Sequence, residues 1–226
     1  MKHLFEVCTG SLPSVEAAVR GGAQRIELCS ALPLDGLTPS IGILQAVRCL
    51  YPTLTIHVLI RPREGDFVYT EEEVLAMERD IHAMLPSADG FVCGALTADG
   101  GIDMTVMQRL MDAAEGKPVT FHRAFDHCRD PFVAMEQIIS LGCRRILTSG
   151  QQSSAEQGIP LLRQLIEQAQ GRIIIMPGGG VNEENVRLIA NKTGATELHG
   201  SASGGTGVTN AETVKRIIEL SDGRTS

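Results

Sequence analysis

One turn recurs along this chain and limits what it can fold into. Gly22-Ala23-Gln24-Arg25-Ile26, Gly142-Cys143-Arg144-Arg145-Ile146 and Gly194-Ala195-Thr196-Glu197-Leu198 each set a glycine between an amphipathic stretch and a short apolar run. Glycine supplies the left-handed residue that ends a helix before a strand begins, so reuse of one αβ turn points to repeated βα units. Short apolar runs alternate with amphipathic stretches about every 25 to 30 residues. Eight of them read as strands: Leu4–Cys8, Arg25–Cys29, Thr55–Ile60, Gly90–Cys93, Pro118–His122, Arg145–Thr148, Arg172–Met176 and Glu197–His199. A helix pattern follows each. Eight units favour a closed parallel (β/α)8 barrel, the TIM-barrel type of α/β fold, over an open doubly wound sheet, which also alternates strand and helix. Such barrels reach about 200 to 250 residues as one unit, and no linker or charge block divides residues 1–226, so a single domain is expected.

Helix starts are marked locally. Thr70 with Glu73 fits a capping box, Asp130 precedes Pro131 as an N-cap before the first helical position, and Asn182 precedes two glutamates.

A formal net charge of -7 argues against general affinity for nucleic acid or anionic membrane, because polyanions would be repelled. The first six residues, Met1-Lys2-His3-Leu4-Phe5-Glu6, lack the apolar core of a signal peptide, and no apolar run approaches the roughly 20 residues that cross a bilayer. A cytoplasmic location is the expectation. The six cysteines show no Cys-x-x-Cys spacing, so free thiols are expected rather than a disulfide framework or zinc knuckle.

Side chains two apart in a strand share a face. Glu6 and Cys8 share one phase of the first strand, Glu27 and Cys29 one phase of the second, so neighbouring strands would present two Glu-x-Cys pairs side by side. The same logic aligns His57 with Arg61, Thr120 with His122, and Glu197 with His199. Charged groups near strand C-termini belong to the active face of a barrel. Any one buried glutamate reads first as a structural ion-pair partner, but desolvating three on three strands is costly without cations, protons or a metal to offset them. Glu6, Glu27, Glu197, His122 and His199 would serve as ligands of a divalent ion or as general acids and bases. His57, earliest in its strand, ranks below the other two histidines as a hydrogen-bonded core residue.

The βα loops add cations and glycines. Arg61-Pro62-Arg63-Glu64-Gly65-Asp66-Phe67 follows the third strand and His122-Arg123-Ala124-Phe125-Asp126 the fifth. Arginine forks suit carboxylate or phosphate, and a salt-bridged loop folded over the mouth explains the first segment equally well. Pro177-Gly178-Gly179-Gly180 and Gly200-Ser201-Ala202-Ser203 follow the last two strands, where many barrels hold phosphate. Arg61, Arg123, Gly179, Gly180 and Ser201 are therefore the candidate anion-binding residues, although tight turns alone would account for the glycines.

With these segments in view, the chain resembles the CutC family of copper homeostasis proteins, which are α/β barrels. The resemblance rests on Arg25-Ile26-Glu27-Leu28-Cys29, Asp35-Gly36-Leu37-Thr38-Pro39-Ser40, Leu59 through Phe67, Thr120 through Asp126, and Ile146-Leu147-Thr148-Ser149-Gly150-Gln151, and runs nearly end to end. It implies cytosolic copper handling, with copper(I) on thiols matching Cys8 and Cys29. Soft sulfur ligands select that ion; the bland reading of the two cysteines is small buried filler. One departure is visible. The family pattern carries a longer segment after the strand-eight motif, whereas here a short Gly/Ser/Thr stretch leads into a final helix from Asn210 to Leu220.

Two functions compete at this point. The first is a copper(I)-binding homeostasis protein using Cys8 and Cys29. The second is a barrel enzyme acting on a small anionic metabolite, phosphorylated ones included, held by Arg61, Arg123 and the glycine loops, with Glu27, His122, Glu197 and His199 as acids and bases. A pure interaction scaffold gives no reason to line a barrel mouth with charge. Self-association through the outer helices, as a homodimer or larger homo-oligomer, is expected of such a barrel.

Overall fold

The computed structural model describes residues 3–204 and 207–223. Eight strands alternate with eight α-helices: β1 Leu4–Thr9, α1 Leu12–Arg20, β2 Arg25–Leu28, α2 Ile41–Leu50, β3 Thr55–Leu59, α3 Glu71–Met84, β4 Gly90–Cys93 and α4 Met104–Ala113 in the first half. The second half runs β5 Val119–Phe121, α5 Pro131–Ser140, β6 Arg145–Thr148, α6 Ile159–Ala169, β7 Ile174–Pro177, α7 Val186–Thr193, β8 Glu197–Gly200 and α8 Ala211–Ser221. Short 3-10 turns at Leu32–Leu34 and Arg123–His127 lie in the loops after β2 and β5.

All strand pairings are parallel, in the spatial order β7-β6-β5-β4-β3-β2-β1-β8. The ring is nearly closed. A side chain added at Gly178, just beyond β7, would reach 3.3 Å from the Cβ of His199 on β8, so the two edges face each other without a hydrogen-bonded ladder among the described residues. Pro177 ends β7 and has no N–H to donate across that seam.

Local chemistry sets the elements. In α3, Thr70 accepts from the Glu73 amide and the Glu73 carboxylate accepts from the Thr70 amide, closing the expected capping box. Val74, Met77, Ile81 and Met84 then recur at helical spacing and are the residues it buries. The Asp130 carboxylate accepts from the amides of Phe132 and Val133 at the start of α5. Gly22, Gly142 and Gly194 all take positive φ (91°, 81° and 77°) with open space where a Cβ would stand, so conformation and not crowding requires glycine in the recurring turn.

The start of α7 differs from expectation. Asn182 accepts from the amides of Glu184 and Asn185, but in a turn that precedes the helix, which begins at Val186. An Asx-type turn competes with the helix for the same backbone donors and wins here.

Alternation divides the strand residues between two environments. Phe5, Val7, Ile26, Leu28, Ile56, Val58, Phe91, Phe121, Ile146, Ile175 and Leu198 pack outward against the helices and form the main apolar layer. The opposite phase fills the barrel axis, where the apolar residues include a small cluster of Cys8, Cys29, Leu59 and Val92 together with Leu147 and Met176. No described helix is long and apolar enough to cross a membrane.

Candidate functional site

The barrel axis is polar, and strand register explains how. Glu6 lies opposite Arg25 on β2 and His199 on β8, while Glu27 lies opposite Cys8 and His57. Arg25 Nε donates to Glu6 Oε2 at 2.6 Å and Arg25 Nη2 to Glu197 Oε2, with Arg145 Nε reaching the same Glu197 oxygen at 2.6 Å. His199 Nδ1 sits 2.9 Å from Glu6 Oε1, and His57 Nδ1 lies 3.1 Å from Glu6 Oε2. Burial alone would raise the Glu6 carboxyl, but the Arg25 guanidinium and the imidazoles of His199 and His57 outweigh it and hold Glu6 well below the usual carboxylate range. Glu197 is likewise held low against its burial by Arg145 and Arg25.

This network reassigns one expected residue. Glu197, read from sequence as an acid or base at the mouth, is the first residue of β8, at the opposite end of the strand from the mouth, and spends its carboxylate on two arginines. Arg25 and Arg145 were not singled out from the sequence, although each shares a phase with a lumen residue, Glu27 and Leu147 respectively.

Above the network, at the C-terminal ends of the strands, opens a cavity of about 600 Å³. Cys8, Glu27, His199, Arg61, His122, Arg123, Gly179, Gly180 and Ser201 are among the residues that line it. The structure therefore brings the other candidate residues to one cavity, except Glu6, which is held in the network by Arg25, His199 and His57, and Cys29, which lies beside Cys8. The thiols are free and buried, with Sγ atoms 3.6 Å apart, and Cys29 Sγ also approaches the Thr9 carbonyl at 3.4 Å. One oxygen of Glu27 and both sulfurs lie within 4.8 Å of one another.

The electrostatics of that corner are set by burial. The hydrogen bond with Cys29, burial, and the Glu27 charge push the Cys8 thiol well above its usual pKa, so it holds its proton in the metal-free protein. Burial also raises Glu27. For His199, burial favours the neutral ring, but Glu27, Cys8 and Glu6 prevail and raise it well above the ordinary histidine value.

The cationic side is built differently. Arg61 is buried, donates from Nη1 to the carbonyls of Leu34 and Gly36 and from Nη2 to Gly65, and stacks on the Phe67 ring at 5.0 Å. It thereby ties the loops after β2 and β3 together over the thiols. Gly36, at φ 85°, closes this cover: a side chain there would stand 3.9 Å from Cys29 Sγ and 2.8 Å from Leu59. His122 Nδ1 accepts from the Ala124 amide at 3.2 Å, and burial together with the Arg61 charge depresses the ring to about 3, so His122 is neutral with its proton on Nε2. Arg123 Nε donates to Asp126 at 2.9 Å, and Asp126 also accepts from the Ser149 amide and hydroxyl at 3.0 Å each and from the Gln151 amide. Ser201 hydrogen-bonds the Ser203 hydroxyl at 3.1 Å.

The CutC family model matches residues 3–204 of the chain. The chain belongs to the CutC family. A CutC family protein of Bacteroides thetaiotaomicron is 56% identical over 202 residues, covering 89% of this chain and 81% of its own length. The human copper homeostasis protein cutC homolog is 52% identical over 200 residues, 88% of this chain and 73% of its own. The crystal structure of the copper homeostasis protein CutC of Streptococcus agalactiae superposes with a TM-score of 0.85 at 34% identity, covering 88% of this chain and 98% of that one. A phosphoribosyl anthranilate isomerase from Thermotoga maritima, at 15% identity and a TM-score of 0.61, shares the fold alone. The family match stops at residue 204, just before the segment expected to differ from the family pattern; residues 205 and 206 lie outside the described structure.

Proposed function

We propose that the chain handles copper(I) as cargo in a reducing, cytoplasmic compartment and receives it between the thiols of Cys8 and Cys29. The observation that carries this reading is the 3.6 Å approach of two free sulfurs on adjacent strands, with Cys8 open to the cavity. Two thiolates are a soft donor pair, and copper(I) is the abundant ion they favour. Metal–thiolate bonds of about 2.3 Å span a linear two-coordinate ion only if the sulfurs move apart by roughly 1 Å; at their present spacing the geometry is bent, and Glu27 stands ready as a third donor. The human and streptococcal relatives are named for copper homeostasis, and their family supports assigning copper here.

Chain residues do the remaining work. Glu27 supplies negative charge next to an entering cation, and both thiols must lose protons as the metal arrives. The test is anaerobic titration with copper(I) against a chromogenic chelator. The wild type should take up about one ion per chain, and Cys8→Ser with Cys29→Ser should abolish uptake; unchanged binding by the double variant would sink the assignment.

A further inference from the structure

A copper ion held by the two thiols would take up only the Cys8 corner of the cavity, yet the cavity measures about 600 Å³, within the roughly 300 to 1,000 Å³ of small-molecule sites. Its remaining wall carries an unusual surplus of unused donors. A guanidinium has five N–H groups. Arg61 commits three of them to carbonyls, and its buried Nε has no hydrogen-bond partner among the described residues. Nor does any described carboxylate lie within ion-pairing distance of Arg61. Buried charge in that state is costly unless something else meets it. His122 Nε2, which carries the ring proton, is likewise buried and unpartnered while the ring lines the cavity. Phe67 links the two, 5.0 Å from the Arg61 guanidinium and 5.0 Å from the His122 ring.

Arg123 completes the wall. Its Nε is paired with Asp126 and its Nη2 reaches the Ser149 hydroxyl at 3.3 Å, leaving Nη1 without a hydrogen bond among the described residues. Gly179, with φ 99°, lets the guanidinium lie against the β7 loop: a Cβ there would stand 3.7 Å from Arg123 Nη1. The amides of Gly179 and Gly180 make no hydrogen bond among the described residues. Leu32, Leu59 and Leu147 add apolar lining, and the carboxylates of Glu27, Asp35 and Glu64 also reach the cavity.

We infer that this half of the cavity binds a small organic molecule through an oxyanion head group, phosphate ester or carboxylate, held by Arg61, His122, Arg123 and the Gly179–Gly180 amides. Its residues are distinct from the thiol pair, so the inference does not depend on the copper assignment. The neutral His122 donates one hydrogen bond without adding charge, the two guanidiniums supply the charge, and the leucines take the molecule's apolar portion.

The test is calorimetric titration of the full chain in low-salt buffer with inorganic phosphate and, separately, with citrate. Saturable one-to-one binding of either probe supports the inference; preference for phosphate identifies a phosphate ester and preference for citrate a carboxylate. Arg123→Gln, at a half-exposed position, should weaken binding by on the order of 10-fold or more, as loss of a charged hydrogen bond does, with circular dichroism and the melting temperature confirming that the variant is folded. Arg163→Gln, on the outer helix α6 and paired with Glu167, should leave it unchanged. The Cys8→Ser, Cys29→Ser variant should bind the anion like the wild type while losing copper, which separates failure of one site from failure of the other. Absence of saturable binding with both probes, equal affinity in Arg123→Gln, or an equal loss in Arg163→Gln would overturn it.

Discussion

Replacing Arg25 by methionine removes the cation that two lumen carboxylates share. Arg25 is 3% exposed and Glu6 fully buried, and the guanidinium bonds Glu6, Glu197 and the Met176 sulfur. Breaking a buried pair by deleting one partner costs about 3 to 5 kcal/mol, because the other charge is left unmatched. Methionine preserves much of the arginine's apolar stem, so packing loss adds little. For a chain of this length each kcal/mol is worth about 2 to 4 °C of melting temperature, which sets the expected drop at about 6 to 20 °C near pH 8. The pH dependence carries the diagnostic. In the wild type the Glu6 pKa lies below its unfolded value, so its contribution is present above the unfolded pKa and is lost as pH falls through the folded one. In the variant, burial without Arg25 raises the Glu6 pKa, so the folded variant gains protons, and relative stability, as pH falls toward 4. The gap between the two proteins should therefore narrow steadily from pH 8 to pH 4 in thermal or urea unfolding. A loss of less than about 3 °C, or a gap independent of pH, would refute the claim that Arg25 neutralises the lumen acids.

Three further outcomes follow from other parts of the molecule. The His122 ring is depressed to about 3 against an ordinary value near 6.5, so below pH 6.5 the unfolded chain takes a proton that the folded one refuses; stability should fall by up to about 1.4 kcal/mol per pH unit there, and His122→Gln should flatten that slope in denaturant titrations. Because the Cys8 thiol is held protonated by its bond to Cys29 and by burial, copper(I) uptake must displace protons, and affinity measured by chelator competition should rise with pH, by up to about tenfold per unit for each proton released. Thr70→Ala opens the capping box of α3 and should cost about 0.5 to 2 kcal/mol with copper binding unaffected; no change in the unfolding midpoint would show that Arg63, which also holds Glu73, suffices.

Alternation made much of this readable in advance. Glu6-x-Cys8 and Glu27-x-Cys29 had to share a face, and parallel pairing had to set them side by side, so the thiol corner follows from period two and strand order alone. The recurring glycine turn and the capping residues of α3 and α5 are equally local. What escaped is long-range. Glu197 shares its phase with His199, but two residues along a strand separate the arginine-bound floor of the barrel from its mouth, and only the ring's stagger shows which is which. Arg25 and Arg145 look like ordinary strand-opening charges until the closed barrel turns them inward. The grip of Arg61 on the carbonyls of Leu34, Gly36 and Gly65 depends on two loops meeting, and no spacing announces it. Asn182 has the right chemistry for a helix cap and spends it on a preceding turn.

The central claim is that the paired thiols of β1 and β2 are the copper(I) site, and X-ray absorption at the copper edge of the loaded protein tests it most directly. The account predicts a first shell dominated by two sulfurs, replaced by light atoms or lost altogether when Cys8 and Cys29 become serine. A shell of nitrogen and oxygen alone in the wild type, or a sulfur shell that survives both substitutions, would contradict it.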